Sequence, residues 1–401
     1  MPDVHVVGIG ADGWAGLSEN AQAAVHAAEV LFGSRRQLSL VPASFAGERL
    51  PWPSPLMPAL PGLLDAHRGR RVCVLASGDP MHHGIGAAIL RILGPDRVTV
   101  LPAASSMSLA CARLGWAMEE VEVVGLVGRP VELLHPYITP GRRLLILGAG
   151  AATVAGILSS RGYGDSQLTV LEQLGGPGER IVSGSAASPW PAADPLTIVA
   201  VECAGTSVLP AVPGLPDDAY LHDGQLTKRE VRAITLARLA PAPGQLLWDV
   251  GAGAGSIAIE WMRTHRSCRA VAVESDPARA ARIRANCLAL GVPDLITVEG
   301  RAPAALAGLP EPEAIFVGGG VTEPGLVEAC WAALSPGGRL VANAVTLESE
   351  AVLAGWHAKV GGDLTRVEVS RAGAVGGFTA WRPALPVVQW SVVRPFPGAA
   401  L

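Results

Sequence analysis

The run Trp248-Asp249-Val250-Gly251-Ala252-Gly253-Ala254-Gly255-Ser256 constrains the fold of this chain more than any other stretch. Apolar residues from Leu246 lead into it, a helical pattern opens at Ser256, and three glycines alternate in between. Glycine admits positive φ and a close ligand approach, and the helix that follows presents unpaired N–H groups. A strand–loop–helix unit of this kind belongs at the carboxyl edge of a parallel α/β sheet, where ligands collect. Glu274 closes the next apolar stretch, 23 positions after Gly251. A carboxylate there can accept both hydroxyls of a ribose. Two nucleotide ligands compete for the loop. The dinucleotide fingerprint wants its third glycine at Ser256, whereas here glycines fall at 251, 253 and 255. A glycine-rich turn with no ligand is the plain alternative.

At 401 residues the chain exceeds one ordinary domain and suits two of roughly 200 residues each. Strand and helix patterns alternate in two blocks, the mark of α/β domains. In the first block, residues 1–205, strands are expected at 4–7, 71–76, 98–101, 122–127, 143–147, 168–172 and 197–202, with helices at 18–28 and 85–93. A Pro/Gly-rich segment without periodicity, 206–222, reads as a linker. The second block, 223–401, places strands at 246–250, 270–274, 296–299, 314–317 and 339–345, then an antiparallel edge pair near 364–369 and 387–393. No internal repeat relates the halves.

Composition narrows the function. Hydrophobic residues make up 49% and charged residues 16%, yet no uninterrupted apolar run approaches the ~20 residues of a spanning helix. The opening residues carry neither a basic segment nor a cleavage site, so a soluble cytoplasmic protein with no membrane partner is expected. A net charge of -4 gives no electrostatic footprint for nucleic acid. The six cysteines are scattered, without zinc-ligand spacing, and read as buried reduced thiols; no metal site is expected.

The acidic residue followed by Gly-x-Gly-x-Gly resembles the class I S-adenosylmethionine-dependent methyltransferases. Thr227-Lys228-Arg229-Glu230 reads as a capping box opening a helix with Val231, Ile234 and Leu239 inward. Gly300-Arg301-Ala302-Pro303 follows the third strand, where class I enzymes contact the adenine, and Gly318-Gly319-Gly320 ends the fourth. No Asn-Pro-Pro-Tyr or Asp-Pro-Pro-Tyr run is present there, which favours a carbon or oxygen acceptor. Together, 226–230, 248–260, 300–306 and 316–323 resemble the C-terminal half of the decarboxylating precorrin-6Y C5,15-methyltransferase family, with Arg301 where that family often has Asp. The resemblance implies cofactor contacts from Thr227, Asp249, Gly251, Ala252, Gly253, Ala254, Gly255, Glu274, Arg301 and Ala302.

In the first block, Val7-Gly8-Ile9-Gly10-Ala11-Asp12-Gly13 taken alone also suits an NAD loop, but no acidic residue closes a second strand about 20 residues on. Instead come Ser77-Gly78-Asp79-Pro80 and then Pro102-Ala103-Ala104-Ser105-Ser106. This trio resembles the tetrapyrrole methylases, whose cofactor folds into a cleft between two α/β subdomains. The stretches 171–176 and 194–199 complete the pattern, and Ala11 stands where most of that family has proline. The implied contacts are Gly8, Gly10, Ala11, Ser77, Gly78, Asp79, Pro80, Ser105 and Ser106. His82 and His83, just beyond, suit a corrinoid pocket or proton transfer, with a solvated or capping role as the alternative.

The resemblance thus spans the chain: an N-terminal tetrapyrrole-methylase fold, a linker, and a class I Rossmann-like domain. It implies one S-adenosyl-L-methionine per domain and a small-molecule precorrin substrate held in a homo-oligomer. Methylation at C-5 would fall to the first domain, and methylation at C-15 with loss of the ring C acetate carboxyl to the second. No catalytic side chain stands out, and positioning groups are expected in place of a nucleophile. Arg and Lys side chains around both clefts are expected to hold the substrate's carboxylates. Alternatives are a methyltransferase for another tetrapyrrole, an RNA-methylating module, and a sensor that binds the cofactor without turnover.

Overall fold

In the C-terminal sheet, β-strand periodicity divides the core between two faces. Along 246–250, Leu247 packs into one apolar cluster with Leu236, Trp261, Ile283 and Phe316. Its neighbours Leu246, Trp248 and Val250 pack into the other, with Ile315, Val317, Leu353 and Trp390. The computed structural model describes residues 3–82, 84–192, 194–206 and 209–397. His83 lies outside the described residues, as do the two positions 207 and 208 within the expected linker.

By chain contacts the protein divides into two units, Met1–Val131 with Tyr137–Ser207, and Glu132–Pro136 with Val208–Leu401. Among the described residues the first unit holds two sheets. The first is wholly parallel, built from β1 (Val4–Ile9), β2 (Val30–Gly33), β3 (Glu48–Pro51), β4 (Val72–Ser77) and β5 (Val98–Leu101) in the order β3-β2-β4-β1-β5. The second contains β6 (Val121–Gly125), β7 (Arg143–Leu147), β8 (Gln167–Glu172), β9 (Arg180–Ser185) and β10 (Thr197–Glu202) in the order β6-β7-β10-β8-β9. There only β6 and β7 run parallel.

The second unit's main sheet contains β11 (Leu246–Val250), β12 (Arg269–Glu274), β13 (Ile296–Glu299), β14 (Ala314–Val317), β15 (Arg339–Ala344) and β16 (Asp363–Val367). Next come the hairpin strands β17 (Ser370–Val375) and β18 (Phe378–Pro383), and β19 (Val387–Val393) returns to the main sheet. The order is β13-β12-β11-β14-β15-β19-β16, with β19 antiparallel to both neighbours. The expected antiparallel pair therefore closes one end of the sheet, with β16 at the edge.

Three expectations need correction. The helix Arg229–Leu239 is capped by Lys228, without a side-chain bond, so Thr227 and Glu230 form no capping box. On that helix Ile234 is half-buried, and the inward face is carried by Val231, Arg232, Thr235, Leu236 and Leu239. The Pro/Gly-rich stretch from 209 to 222 also does more than connect, since Leu215 and Tyr220 are buried in the second unit's core. The short strands β2, β3, β9, β17 and β18 had not been expected. All six cysteines are free and buried, and burial pushes the thiols of Cys73, Cys287 and Cys330 up to about 12. Among the described residues no helix is long and apolar enough to cross a membrane, and no cluster is placed to hold a metal.

Candidate active site

Strand β11 ends in a turn in which Gly251, Gly253 and Gly255 adopt φ of +71°, +59° and +75°. Residues with a Cβ resist this region, which is why glycine recurs at every second position. The amides of Gly251 and Ala252 donate to the Val273 carbonyl at 3.0 and 3.1 Å, tying the turn to β12. Glu274, at the end of β12, is buried, and each oxygen accepts one amide: Gly253 at 2.8 Å and Asp276 at 3.0 Å. The carboxylate is thereby fixed in orientation beside the turn.

The turn borders a cavity of about 700 Å³. Of the residues singled out from sequence, Thr227, Gly251, Ala252, Gly253, Glu274, Arg301 and Ala302 line it. Asp249, Ala254 and Gly255 do not; all three are buried. A Cβ on Gly255 would come within 2.9 Å of Ile283, so this glycine serves helix packing. Other lining residues were not foreseen: Lys228 and Asn343, together with Val369, Arg371 and Leu385 from the segment around the β17–β18 hairpin. The Val375-Gly376-Gly377-Phe378 turn was the sequence signal for that hairpin.

Asp249 is almost fully buried, with Oδ2 accepting the Ala258 amide at 3.0 Å and Oδ1 lacking a partner. Burial pushes its carboxyl from the ordinary 3.8 up to about 7, assisted by the Glu274 charge and opposed by the Ala258 amide. The folded chain thus binds this proton more tightly than the unfolded chain, and stability must fall as pH rises from about 4 through about 7. Relative to Asp249→Asn, the wild-type chain is expected to lose ~3 kcal/mol of unfolding free energy between about pH 5 and 8. Urea titrations of both chains at the two pH values check this; parallel behaviour would refute it.

In the first unit, three loops meet at the carboxyl ends of β4, β1 and β5. A Cβ on Gly8 would lie 2.0 Å from the Gly78 carbonyl oxygen and 2.6 Å from the Ala103 amide nitrogen. The Gly78 amide donates to Ile9 at 3.1 Å, and the Ala103 amide to Gly78 at 3.4 Å. Asp79 Oδ1 accepts the Met81 amide, and the Pro80 carbonyl accepts that of Gly86, so this loop is closed on itself. Ser105 caps the helix Ser106–Leu114 through the Ser108 amide at 3.0 Å, leaving the Ser-Ser turn to offer backbone. The turn after β8 reaches the same place, since a Cβ on Gly176 would sit 2.7 Å from that of Ala11. Gly8, Gly10, Ala11, Ser77, Gly78, Asp79, Pro80, Ser105 and Ser106 therefore lie on converging loops between the two sheets. Beside them Arg36 and Gln37 donate to Ser77 Oγ at 3.3 and 3.0 Å. His82 donates its amide to the Asp79 carbonyl at 3.2 Å.

Two family patterns match this chain: tetrapyrrole (corrin/porphyrin) methylases over residues 3–189, and the precorrin methyltransferase domain over 218–394. A Sinorhizobium precorrin-6Y C(5,15)-methyltransferase [decarboxylating] is 49% identical over 97% of this chain and 96% of its own length. The chain belongs to that family. Two shorter relatives each align with 44% of this chain. One, from Pyrobaculum aerophilum, is a probable cobalt-precorrin-6B C(15)-methyltransferase (decarboxylating), 34% identical over 94% of its length. The other, from Salmonella typhimurium, is a cobalt-precorrin-7 C(5)-methyltransferase, 31% identical over 87% of its length. By its membership of the precorrin-6Y C(5,15)-methyltransferase family the chain is a decarboxylating methyltransferase, of a kind whose methyl donor is S-adenosylmethionine.

Proposed function

We propose that each unit binds one S-adenosylmethionine and that the chain converts precorrin-6B to precorrin-8. In this reading the first unit methylates C-5; the second methylates C-15 and releases the ring C acetate carboxyl as carbon dioxide. The near full-length identity to the Sinorhizobium enzyme carries the reading. The existence of separate half-length C(15) and C(5) relatives supports the division of labour. The reading includes a cytoplasmic homo-oligomer acting on a small molecule, and the net charge of -4 speaks against nucleic acid.

The residues present fit the cofactor. In the second unit, positive-φ glycines leave backbone exposed to the cavity, and the pinned Glu274 carboxylate lining it would accept ribose hydroxyls. Thr227, Arg301 and Ala302 complete the wall around it. In the first unit the Gly8–Ala11 and Ser77–Pro80 loops and the Ser105–Ser106 turn offer backbone groups in the same way. When bound, S-adenosylmethionine supplies an electrophilic methyl group. The protein's part is alignment, which can lower a barrier by ~7–11 kcal/mol when both reactants are held in line. In the decarboxylation the bond between carboxyl carbon and methylene breaks, and its electron pair enters the conjugated ring system. Carbon dioxide then leaves, and one proton returns to carbon, so a methyl group replaces the acetate.

Mass spectrometry of precorrin-6B incubated with the chain and methyl-labelled S-adenosylmethionine tests the reading. A product carrying two labelled methyls and lacking one carboxyl is expected. Unchanged substrate in the presence of bound cofactor would refute the assignment.

A further inference from the structure

The cavity of the second unit carries four cations on its wall: Lys228, Arg279, Arg301 and Arg371. Three are neutralised by the protein itself. Arg279 lies 3.0 Å from Asp223, Arg301 lies 2.5 Å from Glu323, and Arg371 pairs with Glu230. Among the described residues lining the cavity, Lys228 is the cation whose side chain has no ion pair or hydrogen bond. It is also half-buried, and it occupies the N-cap of the helix Arg229–Leu239, where positive charge opposes the helix dipole. Among the described residues no carboxylate lies within ion-pair distance of this ammonium group. A half-buried ammonium group without a side-chain partner on a cavity wall is a ready donor to an anionic ligand.

Resting on the function proposed above, we infer that Lys228 binds a peripheral carboxylate of the tetrapyrrole substrate during C-15 methylation and decarboxylation. The cofactor's own carboxylate has the same chemistry, and titration with S-adenosylhomocysteine separates the two; the segment that carries Lys228 runs from the glycine turn to the hairpin. Near the glycine turn, the Gln225 carbonyl lies 3.0 Å from where a Cβ on Gly253 would stand. Five residues on, Glu230 reaches Arg371 of β17. Lys228 lies between them in the chain, and the cavity it lines also takes in Asn343, Val369 and Leu385. Those residues supply no cofactor-type loop, and the apolar ones suit the edge of a macrocycle.

The test compares full-length wild type, Lys228→Met and Lys228→Arg by carbon dioxide release from precorrin-6B and by calorimetric titration with S-adenosylhomocysteine. Loss of one charge-assisted bond is expected to raise the KM for precorrin in Lys228→Met roughly 10- to 100-fold. S-adenosylhomocysteine affinity should stay within about threefold, and Lys228→Arg should recover most of the KM. An unchanged KM in Lys228→Met would overturn the inference. So would a parallel loss of S-adenosylhomocysteine affinity, which would assign Lys228 to the cofactor carboxylate. Failure of the wild-type chain to release carbon dioxide while still binding S-adenosylhomocysteine would defeat the functional reading, and this inference with it.

Discussion

Gly253→Arg is expected to bind one S-adenosylhomocysteine per chain where the wild type binds two. Residue 253 has φ of +59°, and its Cβ would meet the Gln225 carbonyl oxygen at 3.0 Å. A non-glycine residue pays about 1–2 kcal/mol for that backbone conformation alone. The arginine side chain would then extend into the cavity that Gly251, Gly253 and Glu274 line. The strain also threatens the hydrogen bond that the Gly253 amide donates to Glu274, and with it the orientation of the carboxylate. Carbon dioxide release should fall by at least about 100-fold, the equivalent of roughly 2.7 kcal/mol of lost transition-state stabilisation. The precorrin product should carry a single labelled methyl and an intact acetate. Gly8→Val is the mirror experiment, because its Cβ would lie 2.0 Å from Gly78 and 2.6 Å from Ala103 and must force the three loops of the first unit apart. It should leave the second site titratable by S-adenosylhomocysteine. Two sites remaining in Gly253→Arg would refute a cofactor at the second glycine turn. Loss of both methyls from a one-site variant would show that C-5 methylation depends on the C-15 step.

Much of this arrangement was legible before the fold was known, for a definite reason. β11, β13, β14 and β19 are rich in β-branched or apolar residues and lie between turn residues, and their observed ends coincide with those expected from sequence. The glycine turn was legible because only glycine tolerates its positive φ values. What escaped was short, exposed or borrowed from afar. β9 is largely exposed and lies at a sheet edge, so it has no apolar alternation to betray it. β2 begins three residues after the helix Glu19–Ala27 and merges with its apolar pattern, and β3, Glu48-Arg49-Leu50-Pro51, is half charged and ends in proline. The helix start at Lys228 escaped because Thr227 satisfied a capping motif that the backbone does not use. The cavity wall from Asn343 to Leu385 joins residues far from the glycine turn in sequence, and no local pattern marks them. Asp249 shows a further limit: its place in the motif suggested ligand contact, whereas the structure turns its carboxylate inward onto the Ala258 amide.

Arg232→Met is expected to destabilise the second unit by about 3–5 kcal/mol, because it leaves the Glu260 carboxylate buried without its cation. Arg232 and Glu260 are 0% and 3% exposed, with Nε donating to the carboxylate at 2.5 Å. Glu260 also accepts the Gly214 amide at 2.6 Å, the Leu215 amide at 3.1 Å and the Tyr220 hydroxyl at 2.8 Å. Burial and the Glu260 charge hold the Tyr220 phenol well above its ordinary pKa, so it remains a donor. The remaining guanidinium N–H groups donate to the Leu215 and Thr227 carbonyls and to Asp217 at 3.2 Å. The network therefore joins the helix behind the glycine turn to the segment that ends in the cavity residues Thr227 and Lys228. Replacing such a pair by apolar groups is often neutral for stability, so what the ions add here is placement of the cavity wall. At roughly 2–4 °C per kcal/mol for a unit of this size, Arg232→Met should lower its Tm by about 10 °C. Arg232→Met with Glu260→Gln should recover part of that loss, yet carbon dioxide release should stay low because the Thr227 carbonyl has lost its donor. A Tm shift below about 2 °C for the single variant would show that Glu260 is adequately satisfied without Arg232. Full recovery of activity in the double variant would show that the wall is positioned by packing alone.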